Sequence, residues 1–252
     1  MIFTKYNNTI LTIVKFRYMG MNINKMLRAR KIPVQTRSVA GYFYSFKNKR
    51  NIDFESQLEK KFYLTFEFDD KIETYQEQPV KINAVLNGRK ISYFPDCIIY
   101  FKPELRQKPL LIEIKYAKEI KEKKEKIINK IKVVSKYSKE NGFVFKIYTD
   151  KRLDEIYIDN IKFLYRYFEK PKLNGRYAAY ENKIFEILTG SGGIAINGLL
   201  DYIAENNIEK MTILPLVWYL TCRKTLLTDL NKPLSNSSLI TLNKEAINAV
   251  FA

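Results

Sequence analysis

The stretch KPLLIEIKYAKEIKEKKEK, residues 108–126, constrains the fold more than any other part of the chain. Residues 110–116 (LLIEIKY) are rich in β-formers. From Ala117 to about Glu140 the pattern turns helical, with Ile120, Ile127, Ile131 and Val134 along one face. Asn141-Gly142 closes that helix, and FVFKIYT (143–149) is a second strand. A strand, a helix and a strand in succession require a crossover, so the two strands should run parallel. Upstream, 51–70 reads as a helix opening near Asp53 as N-cap. Two or three strands follow, with a hairpin at Asn87-Gly88 and Pro95 marking an edge or a bulge. Downstream, 154–168 is an amphipathic helix, with Thr149-Asp150 as its cap. The order αβββαβα predicts an α/β fold with a mixed sheet flanked by helices.

Residues two apart on a strand share a face, so Glu113 and Lys115 point together while Ile112 and Ile114 point the other way. On the preceding run, YFPDCIIYF, Asp96 is enclosed by apolar residues, where an unpaired carboxylate is costly. A metal ion or a charge partner would relieve it. If the two strands are neighbours, Asp96, Glu113 and Lys115 converge. Two carboxylates and the main-chain carbonyl of Ile114 then suit a hard cation such as Mg²⁺, with Mn²⁺ able to substitute. Lys115 could orient the attacking water and offset charge on a phosphate.

Composition limits the chemistry. The chain of 252 residues has no histidine, which excludes Ser-His-Asp and Cys-His hydrolases and HExxH metalloenzymes. Any hydrolysis must run on carboxylates, lysine and metal. The net charge is +17, and residues 1–52 hold eleven Lys and Arg but no Asp or Glu. Such an excess points to a polyanion, most economically double-stranded DNA. Residues 27–50 read as a DNA-tracking arm; 1–26 stay open between that arm, a targeting peptide and a start at Met19, Met21 or Met26. Cys97 and Cys222 have no ligand spacing, and no run reaches the roughly 20 apolar residues of a membrane span. A cytoplasmic protein is expected. The lysine helix carries Glu119, Glu122 and Glu125 among its lysines, as a solvated face does. From Pro171 the charge is nearly balanced, and helices precede a short hairpin, the pattern of a winged-helix module. The expected organisation is a basic arm (1–50), a catalytic domain (51–170) and a winged-helix-like domain (171–252).

The PD…ExK arrangement resembles the core of the restriction-endonuclease-like nucleases, whose αβββαβ order matches. ExK alone occurs in many solvated strands, so the order of several segments matters more. ESQLEKKFYLTFEFDDKIETYQEQP, then YFPD, then IEIK, then IYTDKRLDEIYIDNIKFLY is similar to the TnsA family, the endonuclease subunit of heteromeric cut-and-paste transposases. GYFYSFKNKRNIDFES is similar to the segment leading into that family's first helix, and the likeness spans about residues 40–168. The resemblance implies that Glu59 is the helix glutamate of the metal site (Glu55 being the other candidate in that helix), Asp96 the strand aspartate, Glu113 the position two before the lysine, and Lys115 the lysine. Gln78 falls on the family's recurrent glutamine, in a positional role. The resemblance further implies Mg²⁺-dependent cleavage at the 5′ ends of a mobile element. A DDE-type transposase (TnsB-like) would process the 3′ ends, and an AAA+ ATPase (TnsC-like) would dock on the C-terminal domain.

Candidate DNA contacts are Gln78, Lys118, Lys121, Arg37, Lys47 and Lys49. Two rivals remain: a stand-alone restriction or repair nuclease, and a non-catalytic DNA-binding assembly protein on a nuclease fold. Deletion of residues 1–37 should flatten the salt dependence of DNA binding measured by fluorescence anisotropy; an unchanged slope would remove the arm from DNA recognition.

Overall fold

A computed structural model of the chain describes residues 40–245, apart from 87 and 172–175. Residues 1–39, including Arg37 and most of the basic arm, lie outside the described part. The chain divides into two compact units between Leu153 and Asp154.

The first unit opens with a hairpin that charge alone had folded into the arm. Strands β1 (Gly41–Ser45) and β2 (Arg50–Phe54) pair antiparallel from Gly41↔Phe54 to Ser45↔Arg50. The pleat turns Tyr42 and Tyr44 outward, 68% and 48% exposed, while Ile52 and Phe54 enter the core. Helix α1 (Gln57–Phe68) follows. Its N-cap is Ser56, whose hydroxyl accepts from Glu59 N; Asp53, the cap expected from sequence, lies within β2. Ser56 is the better cap because Glu59, three residues on, both donates its N–H to the Ser56 hydroxyl and accepts from it.

A four-stranded sheet of order β3-β6-β7-β8 forms the centre of the unit, built from β3 (Ile72–Glu77), β6 (Cys97–Phe101), β7 (Leu110–Ile114) and β8 (Val144–Tyr148). β3 and β7 flank β6 antiparallel, and β8 adds to β7 in parallel, as the crossover requires. Between β3 and β6, β4 (Ile82–Leu86) and β5 (Arg89–Tyr93) make a separate hairpin. Gly88, at φ +74°, occupies the left-handed region its turn demands. Pro95 thus separates two strands of different sheets; it does not bulge a single one.

The crossover helix is two helices, α2 (Ala117–Glu122) and α3 (Lys124–Glu140), broken at Lys123. Asp150 does not cap the helix after it. Its carboxylate accepts from Ala117 N at 2.7 Å, at the start of α2, while Asp154 caps α4 (Glu155–Leu164) by accepting from Tyr157 N.

Two apolar layers cover the sheet. One joins α1 residues Leu58, Phe62, Tyr63 and Phe66 to Ile99, Ile112 and Ile114; the other joins Val134 of α3 to Ile98, Leu111, Ile82 and Tyr93. Each fully buried isoleucine or leucine contributes roughly 1.5–3 kcal/mol. On β7, Ile112 and Ile114 serve the α1 layer and Leu111 the α3 layer. Glu113, between the two isoleucines, therefore leaves the sheet on the α3 side.

The second unit contains α4, α5 (Tyr177–Ser191), β9 (Ile194–Ala195), α6 (Ile196–Ile203), α7 (Asn207–Cys222), β10 (Leu226–Leu227) and β11 (Leu239–Leu242). The strands form an antiparallel sheet of order β10-β11-β9. Helix, strand, two helices and two further strands follow the order expected of a winged-helix-like module. The division comes before α4, ahead of the composition shift at Pro171. Asn160 of α4 is the reason: its amide donates to the carbonyls of Leu230 and Lys232 and accepts from Leu234 N. Phe163 meets the edge of Trp218 at 5.1 Å, a packing role for that tryptophan. Among the described residues no helix is long and apolar enough to cross a membrane.

Glu67 ties the β1–β2 hairpin to the body of the first unit. Its carboxyl accepts from Phe46 N at 3.1 Å, Lys47 N at 3.2 Å, Tyr75 Oη at 2.7 Å and the Ser45 hydroxyl. Replacing Glu67 with Leu should leave buried donors unpaired and cost about 3 kcal/mol, read as a lower urea midpoint together with faster proteolysis within 41–54.

Candidate functional site

The antiparallel register Cys97↔Ile112 and Ile98↔Leu111 sets Asp96 level with Glu113 at the end of the strand pair. Asp96 is clamped there. Its Oδ2 accepts from Ile114 N at 2.6 Å, and its main-chain carbonyl accepts from Gln78 N at 2.9 Å and from Tyr63 Oη at 3.2 Å. Lys115 continues the parallel ladder, with its N–H donating to Tyr148 O at 3.0 Å. Its ammonium then meets Glu113 Oε1 at 2.9 Å, Ile114 O at 3.1 Å and Asp96 Oδ2 at 3.4 Å. Asp96, Glu113, the Ile114 carbonyl and Lys115 are therefore brought together.

Burial sets the electrostatics. The Asp96 carboxyl is pushed well above its ordinary range, first by burial and then by the neighbouring Glu113, with Lys115 opposing both. Burial would lower the Lys115 ammonium, but Asp96 and Glu113 outweigh it and raise it. The lysine stays charged and screens two carboxylates that would otherwise repel.

Three hard oxygen donors thus converge on one positive charge, here supplied by the chain's own ammonium. That donor set fits a small divalent cation that keeps several waters. Among the described residues no three Asp, Glu, Cys or His side chains gather closely enough to hold an ion by themselves, so the main-chain carbonyl belongs to any such set. Glu59 stands apart from the trio. Its Oε1 accepts from Ser56 Oγ at 2.8 Å and its Oε2 from Glu55 N at 2.9 Å, just ahead of the cap. Burial raises its carboxyl, and it feels the charge of Lys115.

Gln78 lies beside the trio and not on a free surface: it is 6% exposed, and its Nε2 donates to Glu55 Oε1 at 3.0 Å. The lysines differ among themselves. Lys47 donates to the carbonyls of Asp69 and Ile72, which ties it to the fold, and Lys49 lies exposed in the β1–β2 turn at φ +52°. Lys118 and Lys121 are exposed on α2, with Lys118 3.9 Å from Glu122.

Sequence reasoning missed Tyr93. Its hydroxyl donates to Glu113 Oε2, opposite the oxygen that Lys115 takes. Burial, then Glu113, raises the phenol, which remains a donor at every working pH. The ammonium of Lys130 lies 5.7 Å over the ring. No periodicity marks this contact, because Tyr93 ends a strand of another sheet. Tyr93→Phe keeps the ring and removes the donor. It should weaken Mn²⁺ binding, followed by electron paramagnetic resonance, about 10–100-fold, while shifting stability by only about 1 kcal/mol.

Comparison with known proteins now adds to this geometry. The family model described as TnsA-like endonuclease N terminal matches residues 69–150, a span that holds Gln78, Asp96, Glu113 and Lys115 but begins after Glu59. The model described as TnsA endonuclease C terminal matches residues 153–230. No curated protein matches the chain. The two matches are consecutive, cover most of the chain and divide where the fold itself divides, and the chain belongs to the TnsA family of transposon endonucleases.

Proposed function

We propose that this protein is a Mg²⁺-dependent endonuclease that hydrolyses phosphodiesters at the 5′ ends of a mobile element, as one subunit of a heteromeric transposase. The observation that carries the reading is the Lys115 ammonium held among Asp96 Oδ2, Glu113 Oε1 and the Ile114 carbonyl. Asp96, Glu113 and Ile114 would hold the ion. Glu59, with both oxygens engaged in the helix cap, would act on the site through water. When bound, Mg²⁺ polarises the scissile phosphate and eases ionisation of water. Lys115 keeps the carboxylates from repelling one another and presents a fixed positive charge where a phosphate oxygen gains charge. Tyr63 and Ile114 N hold Asp96 in place, and Tyr93 holds Glu113. Hydrolysis then leaves 5′-phosphate and 3′-hydroxyl ends.

The second unit supports a protein contact for the AAA+ partner. On α6 and α7, Tyr202, Ile208 and Met211 are 76%, 80% and 76% exposed, with Glu205 also exposed nearby in the chain. Exposed apolar side chains with an acidic residue close in sequence suit a protein better than a phosphate backbone. The DDE-type transposase would supply end recognition and 3′ processing.

The test is a reconstituted excision reaction with end-labelled element DNA and both partners. Lys115→Ala and Glu113→Gln should each reduce 5′-end cutting by on the order of 100-fold or more, with DNA retention and 3′ processing preserved. Chelation should abolish 5′ cutting, and Mg²⁺ should restore it. Unchanged 5′ cutting by Lys115→Ala would leave only the non-catalytic assembly reading, whereas cutting of naked DNA without partners would favour a stand-alone nuclease.

A further inference from the structure

Gln78 satisfies none of the usual reasons for a glutamine to be where it is. It sits at φ +40°, a left-handed conformation that glycine adopts freely and glutamine adopts under strain. It is 6% exposed, yet its Oε1 has no hydrogen-bond donor from the protein. Exchanging the amide oxygen and nitrogen would not repair this. Nε2 donates to Glu55 Oε1 at 3.0 Å, and a flipped amide would set oxygen against carboxylate. The main chain of Gln78 is equally committed, through its N–H to Asp96 O at 2.9 Å. Gln78 therefore joins Glu55, which lies just before α1 and not within the helix, to the loop that carries Asp96.

A buried acceptor needs a donor. Phosphate oxygens are acceptors too, so Oε1 cannot bind the DNA backbone directly. Water can donate, and Glu55 and Asp96, both bonded to Gln78, are polar neighbours of the kind a buried water requires. We infer that Gln78 is a water-positioning residue of the nuclease site, its Oε1 accepting a hydrogen from a bound water beside Asp96. The inference rests on the reading of this site as hydrolytic. It gives Gln78 a different task from contact with DNA: the amide holds solvent in a defined orientation next to the carboxylate that would carry the ion.

Two readouts test it. In a high-resolution crystal structure of the full chain, a water should lie about 3 Å from Gln78 Oε1; a protein donor or a dry apolar wall at that atom overturns the inference. In solution, Gln78→Gly relieves the backbone and Gln78→Met keeps the side-chain volume, while both remove the acceptor together with the Nε2 donor to Glu55. Each should lower single-turnover 5′ cutting at saturating DNA about 10–100-fold, with the dissociation constant for DNA held within about twofold. Variants that melt at a changed temperature but cut at the wild-type rate per folded molecule would show a structural role only, and would overturn it. Lys115→Ala run in parallel separates the two ideas. If that variant also cuts normally, the hydrolytic reading falls; if it is inactive while both Gln78 variants cut fully, only the water assignment falls.

Discussion

Everything in the site depends on one half-buried ammonium. Lys115 meets two carboxylates and a carbonyl at one point. Taking such charges from water costs several kcal/mol each, and only close, well-partnered geometry returns it. The register of β6 against β7 provides that geometry by setting Asp96 level with Glu113. Asp96 also accepts from Ile114 N and Glu113 from Tyr93, so each carboxylate has a donor besides the lysine. The arrangement is dense in opposing charge and nearly free of slack.

The two faces of β7 explain how such a cluster coexists with a core. Ile112 and Ile114 pack toward α1, while Leu111 packs toward α3 on the side where Glu113 leaves the sheet. The strand is buried on both faces, as a strand with a parallel neighbour commonly is, and its polar residues gather at the end. Tyr93 reaches Glu113 from the β4–β5 hairpin while Asp96 and Lys115 come from the ends of β6 and β7, so the site is assembled by segments of different sheets.

Much of this was legible in the chain itself. Period-two alternation through IEIK put Glu113 and Lys115 on one face, and the strand–helix–strand passage implied the parallel β7–β8 pair seen here. Asp96 stood out because a carboxylate among apolar residues needs a partner. Other features left no such mark. Tyr93 reaches Glu113 only because Pro95 divides one β-rich run between two sheets, and no local pattern reports that division. The β1–β2 hairpin was hidden by its own charge, since Lys47, Lys49 and Arg50 suggest an extended arm. Asp53 has the right residue type for a cap but lies in β2, which leaves Ser56 to cap α1. The strain at Gln78 is a tertiary property: a glutamine in a strand-ending sequence gives no sign of a positive φ.

The hairpin also bears on how the molecule can be dissected. Arg50 grips Glu77 with both guanidinium nitrogens, at 2.7 and 2.6 Å, one residue before Gln78. Minimal versions designed for crystallography or for fusion to a DNA-targeting module must therefore begin upstream of Gly41. A cut placed inside the hairpin would remove the Arg50 partner of Glu77 beside Gln78 and empty the nest around Glu67, so that a trimmed protein could retain its sheet yet lose the alignment of the loop that carries Asp96.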